Sequence, residues 1–426
     1  DATNVLTLGT TWTDTAGNVY GGSSTDTANF TIDTTSPTVS SFTMSDTALK
    51  SGDTSTVTIV FSESVAGFSN SDVTVVNGAL ATMTSSDNIT WTGTYTPTAD
   101  VEDATNVLTL GTTWTDTAGN AYGGSSTDTA NFTIDTTAPA VSSFTMSDTD
   151  LKSGDTSTVT IVFSEAVAGF ASNDDVTAPN GALASMTSSD NITWTGVYTP
   201  TANVEDATNV LTLATSYTDT AGNTGPSATT ANFTIDTTAP TVSSFTMSDT
   251  ALKSGDTSTV TIVFSEAVAG FANSDVTVVN GALTTMTSSD NITWTGTYTP
   301  TADVEDATNV LTLATSYTDT AGNAGPSATT ANFTIDTTSP TVTSFTMSDT
   351  ALQSGDTSTV TIVFSESVAA FASDDDVAVV NGVLASMTSS DNITWTGVYT
   401  PTTNVEDATN VLTLATSWTD TAGNLY

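Results

Sequence analysis

The sequence has no cysteine and no histidine, and three basic residues stand against 46 acidic ones among 426, a formal net charge of −43. Without cysteine or histidine the chain offers no thiolate nucleophile and no imidazole base, and it lacks the usual ligands of zinc and iron. Three cations cannot follow a phosphate backbone, so nucleic acid is excluded as a partner. No apolar run approaches the ~18 residues of a membrane-spanning helix, so we expect no membrane insertion in this segment.

Identical segments recur along the chain at nearly constant spacing. The segment ANFTIDTT places aspartates at 33, 135, 236 and 336, which are 102, 101 and 100 residues apart. A period of this length is a whole domain rather than one turn of a solenoid. It predicts a partial repeat at 1–35, complete repeats at 36–137, 138–238 and 239–338, and a repeat at 339–426 that lacks its last strand. We expect the sequence to be a window from a longer array.

Each repeat alternates β-branched or aromatic residues with threonine, a pattern that predicts short strands with one solvated face. In residues 239–338 the predicted strands are Thr241–Met247, Ser258–Ser265, Val276–Asn280, Ala282–Met286, Ile292–Tyr298, Val310–Tyr317 and Ala331–Ile335. Ser248–Gly255 and the acidic stretch before Val310 are predicted loops. The fold class is therefore all-β, with tandem seven-stranded immunoglobulin-like β-sandwiches forming an extended rod. We expect Trp91, Trp194, Trp294 and Trp395 to pack between the two sheets.

The segments TAPTVSSFTMSDTALKSGDTSTVTIVFSEAV, ITWTGTYTPTADVEDATNVLTL and YTDTAGN resemble the bacterial Ig-like repeats of giant secreted surface proteins, including the long adhesins of marine bacteria. The resemblance covers every repeat. It implies a role as an extender that projects a terminal binding domain from the cell. It also implies calcium at the junctions between repeats, as in many members of that family.

The acidic residues fall in positions that should meet where one repeat joins the next. Antiparallel strand order places the loop between the fifth and sixth predicted strands of one repeat, and its linker aspartate, against two loops of the following repeat. These two loops lie between its second and third strands and between its sixth and seventh strands. The residues predicted to meet are Asp1, Asp33, Glu63, Asp116 and Asn120 at the first junction, Glu102, Asp103, Asp135, Glu165, Asp219 and Asn223 at the second, Glu205, Asp206, Asp236, Glu266, Asp319 and Asn323 at the third, and Glu305, Asp306, Asp336, Glu366, Asp420 and Asn424 at the fourth. Oxygen ligands without balancing cations suit Ca²⁺, which takes about 6–8 of them. The alternative is that these acids cap loops and keep the protein soluble, since DTAGN is also a good turn sequence.

Two functions remain open at this stage. The first is a structural extender of a bacterial cell-surface adhesin, a calcium-stiffened rod outside the cell whose partners are its own adjacent repeats. The second is a subunit of an extracellular filament or surface layer, in which Ala28–Asp33 of one chain completes the last repeat of another copy. An enzyme is not expected, because Glu102 and Asp103, the best candidates for paired catalytic carboxylates, recur in every copy.

Overall fold

The computed structural model describes residues 4–426. Its regular structure is almost entirely β, and the helices are single turns at Asn70–Asp72, Ser172–Asp175, Asn273–Asp275 and Ser373–Asp376. No helix among the described residues is long and apolar enough to cross a membrane. The chain forms two compact units, one made of residues 1–149, 156–199 and 208–233 and the other of 150–155, 200–207 and 234–426. Every contact and acidic group described below lies inside one of these units.

The first layer of a repeat is a four-stranded antiparallel sheet. In residues 239–338 its order is Val242–Met247, Ser258–Phe264, Thr293–Pro300 and Gly281–Leu283. Along Ser258–Phe264 every second residue is buried, because successive side chains of a strand point to opposite faces. The equivalent strands are Val39–Met44, Ser55–Phe61, Gly78–Leu80 and Thr90–Pro97; Val141–Met146, Ser157–Phe163, Gly181–Leu183 and Thr193–Pro200; and Val342–Met347, Ser358–Phe364, Gly382–Leu384 and Thr394–Pro401.

The second layer is centred on the strand that ends each complete repeat. Phe333–Asp336 pairs antiparallel with Glu305–Asn309 and parallel with Ala251–Lys253. The sequence-based prediction of loops for both flanking stretches is wrong, because the central strand offers backbone hydrogen bonds on both of its edges. The equivalent strands are Ala48–Lys50, Glu102–Asn106 and Phe132–Asp135, and Asp150–Lys152, Glu205–Asn209 and Phe233–Asp236.

Short ladders close the ends of the sandwich. In residues 239–338 they are Val276–Thr277 with Thr312–Leu313 and Ala328–Thr329, and Val268–Ala269 with Thr318–Asp319. The strand predicted at Val310–Tyr317 is thus reduced to two residues. The equivalent strands are Val65–Ala66, Val73–Thr74, Thr109–Leu110, Thr115–Asp116 and Thr127–Asp128; Val167–Ala168, Val176–Thr177, Thr212–Leu213, Thr218–Asp219 and Ala228–Thr229; and Val368–Ala369, Val377–Ala378, Thr413–Leu414 and Thr419–Asp420, with Thr7–Leu8 and Thr25–Asp26 in the leading segment.

Aromatic side chains fill the core between the layers. In residues 239–338 Tyr298 and Phe333 are fully buried, and their rings meet edge to face at 5.4 Å. Trp294 packs against this core from its margin, partly buried, with its ring 4.8 Å from that of Phe271. The prediction that this tryptophan packs between the two sheets is therefore only partly right, since Trp294 lies at the margin of the core and Tyr298 lies inside it.

The last repeat has an open groove where the others have their closing strand. Leu352 and Leu412 line a groove of about 210 Å³ there, whereas their equivalents Leu252 and Leu311 are 2% and 0% exposed. Residues 351–353 and 406–410 are not strands, because the central strand that would pair with both is not in this sequence. In the leading segment Phe30, the equivalent of buried Phe333, is 39% exposed.

Candidate metal centres at the linkers

Three carboxylates from three different elements come together at each of four linkers. At the second linker Asp135 ends the strand Phe132–Asp135, Glu165 follows the strand Ser157–Phe163, and Asp219 ends the pair Thr218–Asp219. One oxygen from each lies within 4.8 Å of the other two. The other groups are Asp33, Glu63 and Asp116; Asp236, Glu266 and Asp319; and Asp336, Glu366 and Asp420. Each group draws its linker aspartate from one repeat and its other two members from the next.

The innermost carboxylate of each group is held by its own DTAGN loop. Asp219 is 1% exposed, and one of its oxygens accepts the backbone N–H groups of Gly222 at 2.6 Å and Asn223 at 2.9 Å. Gly222 adopts a φ of +98°, a conformation that glycine reaches without steric cost. The loop sequence therefore fixes the direction of this carboxylate before any ligand is bound.

The glutamate of each group lies among other carboxylates, whose negative charges act on it. Burial raises the pKa of Glu165, and the nearby charges of Asp219, Asp135 and Glu102 raise it further. At the fourth linker burial, followed by Asp336 and Asp420, raises the pKa of Glu366 to about 7. Like charges in partly desolvated surroundings favour either a proton or a bound cation.

Neighbouring acids predicted as joint ligands are separated by the strand that carries them. Glu102 lies directly opposite Asp135 in the antiparallel pair, and its charge acts on Glu165. Asp103, the next residue, points to the other face of the strand, where it accepts hydrogen bonds from Asn77 Nδ2 and Thr105 N, both at 2.9 Å.

The same separation appears at the later linkers. Glu205 and Glu305 act electrostatically on Glu266 and Glu366. Asp306 turns to Asn280 Nδ2 at 2.9 Å, and Asp206 follows Glu205 in the strand Glu205–Asn209. Asp1 lies outside the described residues.

The predicted asparagine ligands are engaged in hydrogen bonds. Asn223 Oδ1 accepts Ser51 N–H at 2.8 Å, and its Nδ2 donates to the carbonyl oxygen of Asp135 at 2.9 Å. Asn323 and Asn424 make the same two bonds with the equivalent residues. At the first linker Asn120 Nδ2 donates to the carbonyl oxygen of Asp33 at 3.3 Å. These asparagine side chains therefore link neighbouring repeats by direct hydrogen bonds.

A lysine precedes each serine whose N–H donates to an asparagine, and sequence analysis did not identify it as a site residue. Lys50 Nζ lies 3.5 Å from the carbonyl oxygen of Gly222 in the following repeat. A Cβ atom placed on Gly322 or Gly423 would lie 3.2 or 3.1 Å from the Nζ of Lys152 or Lys253. All three cations of the chain therefore lie against the DTAGN loop of the next repeat. The signal in the sequence is that each of them is followed by Ser-Gly-Asp.

The donor set at each linker consists of oxygen alone. Three carboxylates, with carbonyl groups of the linker close by, suit a hard divalent cation that takes 6–8 oxygens at about 2.3–2.6 Å. Nothing in the sequence supplies the thiolate or imidazole ligands typical of zinc or copper sites. The residues present therefore fit a calcium ion.

Comparison with known families gives a match along nearly the whole chain. A model described as "Bacterial Ig-like domain" matches residues 33–134, 135–235, 236–335 and 336–425. No curated protein matches significantly. Among solved structures the chain is similar to the crystal structure of Down Syndrome Cell Adhesion Molecule isoform 1.30.30, N-terminal eight Ig domains, at 10% identity and a TM-score of 0.33. The match covers 86% of this chain and 46% of that one, so the chain spans just under half of its length.

Proposed function

Because the chain belongs to the family of bacterial Ig-like domains, we propose that it is an extender of a bacterial cell-surface adhesin. In this proposal the repeats form a rod outside the cell, calcium binds at the linkers, and the rod holds a binding domain away from the cell surface. Its partners are its own adjacent repeats. The activity is mechanical, in keeping with a family of structural rather than catalytic domains.

The observation that supports this proposal is that the same cluster of three carboxylates recurs at four successive linkers. A catalytic or ligand-binding site needs to occur once, whereas a joint must occur wherever two repeats meet. Each group takes Asp135 or its equivalent from one repeat and the glutamate and second aspartate from the next. An ion bound to all three would tie the two repeats together.

The charge of the chain gives the ion its mechanical effect. Three unpaired carboxylates within 4.8 Å repel one another, and that repulsion pushes neighbouring repeats apart at the linker. A divalent cation replaces this repulsion with attraction from both sides of the joint. Pro139 and its equivalents Pro37, Pro240 and Pro340 restrict the backbone just after each linker aspartate, which leaves fewer angles for the joint to adopt.

Small-angle scattering of the whole chain in millimolar calcium, and then in excess chelator, tests the proposal. We expect an extended particle in calcium and a shorter, broader distance distribution after chelation. A distribution that is unchanged by chelation would show that the acids serve solubility alone.

Matched variants distinguish the linker acids from general charge. The test variant replaces the linker glutamates by glutamine at Glu63, Glu165, Glu266 and Glu366. The control variant changes the charge equally in exposed turns, by asparagine at Asp87, Asp190, Asp290 and Asp391. The control aspartates accept hydrogen bonds from nearby backbone N–H groups, as Asp290 does from Ile292 and Thr293, and an asparagine oxygen can still accept them. Only the glutamine variant should lose the change in the scattering distance distribution between calcium and chelator.

A further inference from the structure

The asparagine of each DTAGN loop joins two repeats without the help of an ion. Asn223, Asn323 and Asn424 are 4%, 4% and 3% exposed, although each lies in a surface loop of its own repeat. Each of them is hydrogen-bonded to the preceding repeat. Burial of a primary amide is favourable only where its hydrogen-bonding groups find partners.

The partners of these amides come from both sides of the joint. Asn323 Oδ1 accepts Ser153 N–H at 2.8 Å from the preceding repeat. Its Nδ2 donates to the carbonyl oxygen of the linker residue Asp236 at 2.9 Å and to the carboxylate of Asp319 in its own loop at 2.8 Å. One planar side chain therefore fixes a turn, a linker and a loop relative to one another.

Two further features adapt the joint to this contact. The receiving turn is closed by its own hydrogen bonds, with Lys152 N donating to Asp155 and Asp155 N donating to the carbonyl oxygen of Lys152. Gly322, next to the asparagine, has a φ of +100° and leaves room for the Lys152 side chain, whose Nζ would lie 3.2 Å from a Cβ atom at that position. The same contacts recur at Gly222 and Gly423 with Lys50 and Lys253.

We propose that Asn223, Asn323 and Asn424 are clamps that set the register between neighbouring repeats in the absence of metal, with the Lys-Ser turn of the preceding repeat as their receptor. The biological role of the clamp rests on the proposed extender function, whereas its geometry rests on the hydrogen bonds alone. Calcium then balances the charge of a joint whose register the clamp already defines. An asparagine that acted only as a calcium ligand would leave the turn of the preceding repeat free in chelator.

Hydrogen exchange of the full-length chain, measured by mass spectrometry in excess chelator and in calcium, tests the clamp. The reporters are the peptides that contain Ser51, Ser153 and Ser254, whose N–H groups the asparagines accept. In the wild type these amides should be protected in chelator. In the triple variant Asn223→Ala, Asn323→Ala and Asn424→Ala they should exchange faster by on the order of tenfold, the effect of losing one hydrogen bond of typical net strength.

Asn120→Ala is the matched control. Asn120 makes the same bond to the aspartate of its own loop, Asp116 Oδ2 at 2.7 Å, so its replacement reproduces the damage to the loop. The reporters should exchange at the wild-type rate in this variant. Equal rates in the triple variant and the wild type would overturn the clamp. So would unprotected reporters in wild-type protein in chelator, a result that does not depend on how any variant folds.

The two proposals fail in different ways. If the reporter amides are protected in chelator but the scattering does not change with calcium, the calcium-stiffened rod is refuted and the clamp stands. If the chain extends in calcium but the reporter amides are unprotected in chelator, the calcium-stiffened rod stands and the clamp is refuted.

Discussion

In a chain of residues 1–426 alone, replacement of Phe333 by alanine should destabilise one repeat severely, whereas replacement of Phe30 in the identical sequence ANFTID should not. Phe333 is 1% exposed and packs on Tyr298, while Phe30 is 39% exposed. Loss of a buried phenylalanine ring costs about 3–5 kcal/mol, whereas surface substitutions stay within about 0.5 kcal/mol. For a domain of ~100 residues each kcal/mol lowers Tm by about 4–8 °C, so Phe333→Ala should lower the melting of its repeat by about 12–40 °C.

Scanning calorimetry of the whole chain separates these outcomes. In Phe333→Ala one repeat should melt apart from the others, with the unfolding enthalpy of a single ~100-residue domain, about 60–80 kcal/mol. Phe30→Ala should melt like the wild type. The strand that carries Phe333 also carries Asp336, so calcium should raise the early transition less than the remaining ones. Equal effects of the two substitutions would refute the assignment of Phe333–Asp336 as a central core strand.

Three other perturbations probe the linkers and the packing. The pKa of Glu366 is raised from 4.5 to about 7, so between these values the folded state binds more protons than the unfolded state. In chelator the free energy of unfolding should therefore fall as pH rises from about 4.5 to 7. Melting curves at pH 5 and 8 check this, and added calcium should remove the fall. In a calorimetric calcium titration Glu266→Gln should remove one binding event, and each occupied joint should gain ~2.7 kcal/mol at a free calcium concentration of about 100 Kd. Gly78→Ala should lower the midpoint of urea unfolding, because a Cβ atom there would lie 2.4 Å from the ring of Tyr95, whereas Gly123→Ala, with nothing within 4 Å, should not.

The alternation of residues is sufficient to predict the fold class and the long strands. The match to bacterial Ig-like domains confirms the resemblance seen in the sequence. The pattern fails where a strand is defined by its partner rather than by its own residues. Glu305–Asn309, with the sequence EDATN, has the composition of a loop, yet it is a strand because Phe333–Asp336 lies beside it. Pairing with the central strand, rather than the residues of EDATN themselves, therefore makes this segment a strand, and no local pattern can predict such pairing.

The acidic positions were easier to predict than the roles of the residues beside them. Spacing along the repeat predicted that a linker aspartate, a glutamate and a loop aspartate would meet, and the structure brings one oxygen of each within 4.8 Å of the others. It could not assign Asp103, whose orientation follows from the strand that contains it, nor Asn223, whose oxygen is engaged by Ser51 of the preceding repeat. An asparagine beside carboxylates has the composition of a metal site and equally that of a hydrogen-bonded joint. The two interpretations differ in what remains when the ion is removed: a ligand loses its function, whereas a clamp still holds the turn that it bonds. Protection of Ser51 N–H in chelator therefore decides whether the register of this array comes from the ion or from the chain.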